Sequence, residues 1–147
     1  MSSEKAKRPR LTYNHLRPEI TTSEAINRLR SSWAKCDSND SSNLNDIGIN
    51  VIQQPFPVCV IENFITDIGL LQSAVSELKN VTFYPKNNDL YQFEQSDDVH
   101  NLKENLYISQ VYDILKSEVH SWLSEIFIND TIKQQIAATF SSYQYGG

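Results

Sequence analysis

The stretch ISQVYDILKSEVHSWLSEI, residues Ile108 to Ile126, carries the strongest secondary-structure pattern in this sequence. Its apolar residues recur about every 3.6 positions, which places them along one side of an α-helix. We therefore predict a helix over Ile108–Ile126 whose apolar stripe faces a core and consists of Ile108, Val111, Tyr112, Leu115, Val119, Trp122, Leu123 and Ile126. His120 falls beside this stripe and is predicted to lie at the surface.

Two further helices are predicted earlier in the chain. Thr21 and Glu24 have the spacing of a capping box, in which each side chain bonds to the backbone at the other end of the first turn. Apolar residues follow on one face, which predicts a helix from about Thr22 to Cys36. Thr66 or Asp67 is predicted to cap a second helix, whose apolar face consists of Leu71, Ala74, Val75 and Leu78.

Short apolar runs between turn residues predict strands. Phe56–Ile61 reads as a strand at the margin of a sheet, because Pro57 restricts its pairing. Val81–Tyr84 and Leu90–Phe93 read as two strands joined by the turn PKNND, and Ile136–Tyr145 as a final strand. Helices and strands in this order predict an α+β fold.

The chain divides into three predicted regions. Residues 1–20 form a disordered basic lead, residues 21–48 a helix and a polar linker that contains DSNDSSNLND, and residues 49–147 the domain proper. The lead contains KAKRPR, which is either a nuclear import signal or a solvated tail.

Composition limits the classes of function. A chain of 147 residues with 39% hydrophobic and 10% aromatic residues is long enough for one core and one domain. The net charge of -5 argues against direct nucleic-acid binding, because neutralisation of phosphates supplies most of that affinity. No apolar run approaches the ~18 residues of a membrane helix, so we predict no membrane partner and a location in the nucleus and cytoplasm.

The residues with catalytic potential do not form a known motif. His15, His100 and His120 lack metal-site spacing, and four glycines leave little room for a phosphate-binding loop. The paired acids Asp97 and Asp98 follow a predicted strand and are either a catalytic dyad or a solvated turn. The pattern favours the turn, because adjacent side chains at the end of a strand point apart.

Four segments, in order and spacing, carry a family resemblance: FPVCVIENFI, NDLYQFEQSDD, the helix quoted above and SSYQY. Together they resemble the amino-terminal half of the catalytic domain of the 2-oxoglutarate- and Fe(II)-dependent prolyl 3-hydroxylases that modify a small-subunit ribosomal protein. The resemblance implies amino-terminal helices and the first strands of a double-stranded β-helix, or jelly roll, that is incomplete in this chain. It also implies Fe(II), 2-oxoglutarate and ascorbate as the family's cofactors, and a ribosomal protein as the substrate.

The same resemblance implies roles for particular residues. Tyr143 matches a tyrosine that reaches 2-oxoglutarate in relatives, although it could equally be an aromatic residue packed in the core. The residues matching a segment near the mouth of the barrel are Tyr91, Gln95, Asp97 and Asp98.

The family's His-x-Asp iron motif would follow just beyond Gly147. We therefore expect this chain alone to bind no metal or cofactor and to be an inactive fragment or isoform. The alternative is a non-catalytic regulatory or partner-binding protein. In either case, open strand edges predict self-association.

Overall fold

The computed structural model describes residues 12–34, 44–87, 92–128, 132–133 and 135–143. The helices are α1 (Ser23–Ala34), α2 (Ile68–Glu77), α3 (Leu106–Ile114) and α4 (His120–Ile126). The strands are β1 (Ile49–Ile52), β2 (Val58–Ile61), β3 (Phe83–Asn87), β4 (Gln92–Ser96) and β5 (Ser141–Ser142). This mixture of helices and antiparallel strands confirms the α+β class, while the jelly-roll architecture stays a prediction.

The strands form two antiparallel sheets. One is the pair β1–β2, with Ile49 opposite Ile61, and the other has the strand order β3–β4–β5. The predicted hairpin is therefore present, but its strands lie further along the chain, because Pro85 and Lys86 of the predicted turn belong to β3. The part of the predicted final strand that the structure describes ends at Tyr143, and within it Ser141–Ser142 alone pair with β4 as a strand.

The larger of two apolar cores joins the helices α1, α2, α3 and α4 to β1. Its buried members are Leu16, Ile20, Ile26, Leu29, Leu44, Ile49, Leu70, Ile114, Trp122 and Ile126. Leu16 and Ile20 are at most 1% exposed, which corrects the prediction that residues 12–20 are disordered. The predicted start of the domain near Ile49 also does not divide this core, because α1 packs in it with β1 and α4. Residues 1–11 and most of the predicted polar linker lie outside the described residues.

Backbone hydrogen bonds attach residues 12–20 to the rest of the protein, and we call these residues the 12–20 segment. Arg17 N donates to Phe64 O over 3.0 Å, and Thr66 N donates to His15 O over 2.9 Å. Near its start, the Tyr13 hydroxyl donates to the Glu125 carboxylate. Burial and this contact raise the pKa of Tyr13 above its usual range, so the hydroxyl stays protonated.

Glu118 is a buried carboxylate that holds the same segment. Its two oxygens accept hydrogen bonds from the backbone amides of Asn14, His15 and Leu16 over 3.1, 3.0 and 3.3 Å. The ring Nδ1 of His15 lies 2.7 Å from Glu118 Oε1. Burial alone would raise the pKa of Glu118, but the hydrogen bonds from His15 and Asn14 outweigh it and hold the pKa below its ordinary value. Glu118 is therefore ionised at neutral pH.

The predicted long helix contains a π-helical turn at Leu115–Val119, between α3 and α4. Every residue of the predicted apolar stripe is buried or half-buried, so the face of the helix was assigned correctly. Ile114 and Glu118 are buried as well, although they were not included in the predicted stripe. Both lie one helical turn from a member of the stripe, since Ile114 is three positions after Val111 and Glu118 four positions before Trp122.

The helix caps agree with prediction at α2 and differ at α1. Asp67 Oδ1 accepts a hydrogen bond from Leu70 N over 2.9 Å, as expected of a capping aspartate. At α1 the capping hydroxyl belongs to Thr22, which accepts from Ala25 N over 3.1 Å, whereas the Thr21 hydroxyl donates to Pro18 O. The predicted capping box at Thr21 is therefore wrong by one residue.

The predicted exposure of two side chains is also wrong. Val75, placed on the apolar face of α2, is 63% exposed. His120 is half-buried, and its Nε2 lies 2.9 Å from Ile132 O, so it tethers the chain that follows α4.

Candidate functional site

The sheet β3–β4–β5 has two unlike faces, because successive side chains in a strand point to opposite sides. On the inner side Phe83 and Phe140 pack against the smaller core, whose buried members are Val81, Val99 and Ile108. On the outer side the register places Tyr84 opposite Gln95, and Gln95 opposite Ser141. We call this outer surface the aromatic face and define it by Tyr84, Lys86, Phe93, Gln95, Thr139, Ser141 and Tyr143.

Tyr143 lies at the end of the aromatic face. Its ring stacks on that of Phe93, with centroids 5.3 Å apart and planes inclined by 22°. The side chain is 65% exposed, so Tyr143 packs in neither of the two cores of the described chain. Stacking on one side leaves the hydroxyl and the other ring face open to a ligand.

Gln95 crosslinks two segments of the aromatic face. Its Nε2 donates to Thr139 Oγ1 over 2.9 Å, which joins β4 to the chain just before β5. Ser96 strengthens this junction, because Ser96 N donates to Phe140 O over 2.9 Å and Phe140 N donates to Ser96 Oγ over 3.0 Å. These bonds align the last described segment with β4 and so bring Tyr143 next to Phe93.

Asp97 and Asp98 form the turn that ends β4. Asp98 Oδ1 accepts from His100 N over 2.8 Å, and Asp97 Oδ1 accepts from Asp98 N over 2.7 Å. Both carboxylates thus bind nearby backbone amides, as acidic side chains do in turns. Tyr91, the remaining residue predicted near the mouth of a barrel, lies outside the described residues.

The described residues do not fit an iron site. Among them, no three His, Cys, Asp or Glu side chains come together in a way that could hold a metal ion. The histidines lie in separate places, since His15 contacts Glu118, His120 contacts Ile132 O, and the ring of His100 lies 6.2 Å from that of Tyr112. A facial triad needs two imidazoles and a carboxylate at one point, and these contacts hold the imidazoles apart.

Sequence reasoning brought out Gln95 and Tyr143 and missed the two residues that hold them. Phe93 supplies the stacking ring for Tyr143, and Thr139 supplies the acceptor for Gln95. Strand alternation could have placed Phe93 on the same face as Gln95. The partnership with Thr139 depends on pairing across a separation of 44 residues, for which the sequence carries no local signal.

No helix in the described part of the chain is both long and apolar enough to span a bilayer. No family model matches the chain. Several curated proteins align with it, however, and three of them are described here. Prolyl 3-hydroxylase OGFOD1 of Xenopus laevis is 32% identical over 118 residues, or 80% of this chain and 21% of the relative.

The other two relatives have similar names. Prolyl 3-hydroxylase OGFOD1 of Mus musculus is 42% identical over 72 residues, which are 49% of this chain and 13% of the relative. Prolyl 3-hydroxylase sudestada1 of Drosophila melanogaster is 24% identical over 119 residues, which are 80% of this chain and 22% of the relative.

The molecule is thus an α+β protein with an exposed, aromatic antiparallel sheet. By these alignments the chain belongs to the prolyl 3-hydroxylase family, which confirms the resemblance found in the sequence. The chain spans about a fifth or less of the length of the curated relatives that it matches.

Proposed function

We propose that this chain forms the amino-terminal part of the catalytic domain of an Fe(II)- and 2-oxoglutarate-dependent prolyl 3-hydroxylase that modifies a small-subunit ribosomal protein. The observation that carries the proposal is the alignment of 118 residues with the Xenopus laevis prolyl 3-hydroxylase. When bound, the family's iron and 2-oxoglutarate would activate dioxygen, which is the oxidant for hydroxylation. The described residues contribute the scaffold and the sheet instead.

The aromatic face supports this role. Exposed aromatic rings on a sheet present a large apolar surface, and an exposed apolar patch commonly marks a binding site. Tyr84 is 54% exposed and Tyr143 65% exposed, while the inner face of the same sheet is covered by helices. In a jelly roll further strands would face this surface, so that it would line the inside of the barrel.

Within this proposal the predicted site residues take distinct roles. The Tyr143 hydroxyl donates a hydrogen bond to 2-oxoglutarate, and Phe93 orients its ring by stacking. Gln95, with Asp97 and Asp98 in the adjoining turn, borders the entrance on the substrate side. Ascorbate would maintain the reduced iron, and the ribosomal substrate places the protein in the nucleus and cytoplasm.

A chimera tests the proposal. The aligned 118 residues of the Xenopus laevis relative are replaced by the matching residues of this chain. Succinate release and hydroxylation of a ribosomal proline peptide are then measured with Fe(II), 2-oxoglutarate and ascorbate. Turnover by the chimera supports the proposed role, and a folded chimera without turnover contradicts it.

Tyr143→Phe in the active chimera separates cosubstrate binding from scaffolding. Loss of one hydrogen bond of about 0.5–1.5 kcal/mol should raise the KM for 2-oxoglutarate about two- to tenfold and leave turnover at saturation nearly unchanged. Tyr107→Phe is the matched control, because Tyr107 lies on α3 away from the aromatic face. Equal KM values for 2-oxoglutarate in the two variants would show that the Tyr143 hydroxyl does not bind the cosubstrate.

The 147-residue chain itself should release no succinate above background, because its described residues do not fit an iron site. Succinate that is lost when His100 and His120 are both replaced would show a metal site of a different kind. Such a result would also argue against a non-catalytic regulatory role, the alternative function for this chain.

Self-association is the proposed behaviour of the isolated chain. Within the described residues, β3 pairs on one side only, and β5 covers just two residues of β4. Exposed backbone groups at such edges template pairing with other chains. Light scattering should therefore show mass that increases with concentration, whereas a monomer with a single sharp unfolding transition would contradict the proposal.

A further inference from the structure

A second concave region lies beside the long helix and shares no residue with the aromatic face. It has a volume of about 640 Å³ and lies between the turn after β4, the middle of the helix, Lys133 and residues 135–137. We call it the lysine pocket. Its lining residues are Asp98, His100, Asn101, Tyr112, Lys116, Lys133, Gln135, Ile136 and Ala137.

Two hydrogen bonds attach the chain on either side of Lys133 to the helix. Tyr112 Oη donates to Ile136 O over 3.2 Å, and His120 Nε2 lies 2.9 Å from Ile132 O. The two bonds flank Lys133 on either side in sequence. They fix the backbone that carries Lys133 relative to the helix that carries Lys116, so the pocket is formed before any ligand arrives.

The charge of the lysine pocket is opposite to that of the whole protein. Lys116 and Lys133 contribute two ammonium groups, and neither forms an ion pair with another described residue. The acidic member of the lining is Asp98, whose Oδ1 already accepts a hydrogen bond from His100 N. In a chain with a net charge of -5, this is a local concentration of positive charge.

The position of Lys116 is an independent indication of function. Lys116 lies in the π-helical turn Leu115–Val119. Such turns are rare and occur frequently at functional sites, because the extra residue changes the direction of the side chains around it. Glu118, which binds the 12–20 segment, lies in the same turn, and Lys116 is exposed in the pocket lining.

We propose that the lysine pocket binds a small anion with at least two negative charges, either a polycarboxylate or a phosphate compound. The ammonium groups of Lys116 and Lys133 bind its charges, and the amide of Gln135 offers a further donor. The amide of Asn101 already donates to Asp97 Oδ2 over 3.3 Å and has one N–H left for the ligand. Tyr112, Ile136 and Ala137 supply apolar contact for its body. The volume lies in the range of small-molecule sites. The proposal does not depend on the proposed hydroxylase function.

Calorimetric titration of the full chain at low ionic strength tests the proposal, with citrate as the polycarboxylate probe and pyrophosphate as the phosphate probe. Saturable binding of one probe supports the proposal and identifies the ligand class. Lys116→Gln and Lys133→Gln should each weaken binding about two- to fivefold, as expected for exposed charge pairs. The double variant should weaken it more than tenfold, and added salt should weaken binding by the wild-type chain.

Lys79→Gln is the matched control, because Lys79 is an exposed lysine in the turn after α2 and does not line the pocket. Binding by this variant should equal that of the wild-type chain. The circular dichroism spectrum of every variant verifies that it is folded. Failure of both probes to bind, undiminished binding by the double variant or an equal loss in Lys79→Gln would each overturn the proposal.

Discussion

The helical half of this protein buries more apolar residues than the sheet half. In the helical half the larger core contains ten buried apolar residues among those described, and the 12–20 segment seals it. In the sheet half the smaller core contains three, and Tyr84 and Tyr143 on the other side of the sheet are exposed. Burial of apolar area is the main favourable term in folding, so most of the stability resides in the helical half.

This difference separates two tasks. The helical half provides a stable frame in which single side chains have buried partners on other elements, such as Trp122 with Ile20 and Glu118 with Leu16. The sheet half presents aromatic and polar groups that have few partners within the described chain. Residues that matter for stability and residues that matter for binding should therefore respond differently to substitution, in the order given below.

Trp122→Ala should have the largest effect on stability. Trp122 is 3% exposed, its ring packs 5.3 Å from that of Phe64, and its Nε1 donates to Ile20 O over 3.0 Å. Loss of this side chain should lower the free energy of unfolding by about 3–5 kcal/mol. Urea denaturation followed by circular dichroism measures the change. A loss below that of Tyr143→Ala, at an exposed site, would reverse the comparison between the halves.

Glu118→Ala should cost about 2–3 kcal/mol at neutral pH, because it leaves the amides of Asn14, His15 and Leu16 without their acceptor. The folded-state pKa of Glu118 is lowered, so its contribution is present above the unfolded-state pKa of ~4.3 and is lost as the pH falls through the lower folded-state value. The difference in stability between wild type and variant should therefore shrink below about pH 4.

Denaturation series at several pH values test this, with Glu104→Ala in an exposed turn as the control. A difference that grows as the solution is acidified would mean that the protonated carboxyl is the stabilising form.

Gly48→Ala should have an intermediate effect. Gly48 has φ of 63°, in the left-handed region, where an L-residue costs about 1–2 kcal/mol. A Cβ there would also lie 2.9 Å from Arg17 Nη2, and the Arg17 guanidinium donates to Ile47 O. Gly69→Ala is the matched control, because Gly69 lies in α2, where alanine should make the protein slightly more stable. Thermal melts of both variants should shift in opposite directions.

The pair Phe93 and Tyr143 should show the smallest effect. A double-mutant cycle with alanine at both positions should give a coupling energy of about 0.5–1 kcal/mol, the value of an aromatic pair. Zero coupling would mean that the rings do not stack in solution. A coupling as large as the cost of Trp122→Ala would mean that the aromatic face is packed as tightly as the helical core.

Local patterns predicted the helices and their buried faces. The stripe from Ile108 to Ile126 and the cap at Asp67 depend on neighbours within one or two turns, and both are confirmed. The α+β class follows from the same information. Of the candidate site, the family resemblance alone singled out Tyr143 and Gln95, and it did not indicate their partners Phe93 and Thr139.

Long-range contacts account for what was missed. Residues 12–20 carry few apolar side chains and were assigned to a disordered lead, yet Leu16 and Ile20 are buried by elements far along the chain. Glu118 looks like an exposed helical residue until its partners more than 100 positions earlier are known. The π turn that presents it is stabilised by the same tertiary contacts, and helical periodicity carries no record of them.

The hydrogen bonds between Glu118 and the 12–20 segment also determine the order in which parts of the chain can fold during synthesis. The amide of His15 and the carboxylate that it binds are 103 positions apart, so the acceptor is synthesised long after the donor. At ~5–20 residues per second, the segment would wait about 5 to 20 s after its own synthesis before its partner is made. During that interval Leu16 and Ile20 have no helix α4 to cover them. The 12–20 segment is therefore synthesised long before α4 and reaches its native place only after α4 is made.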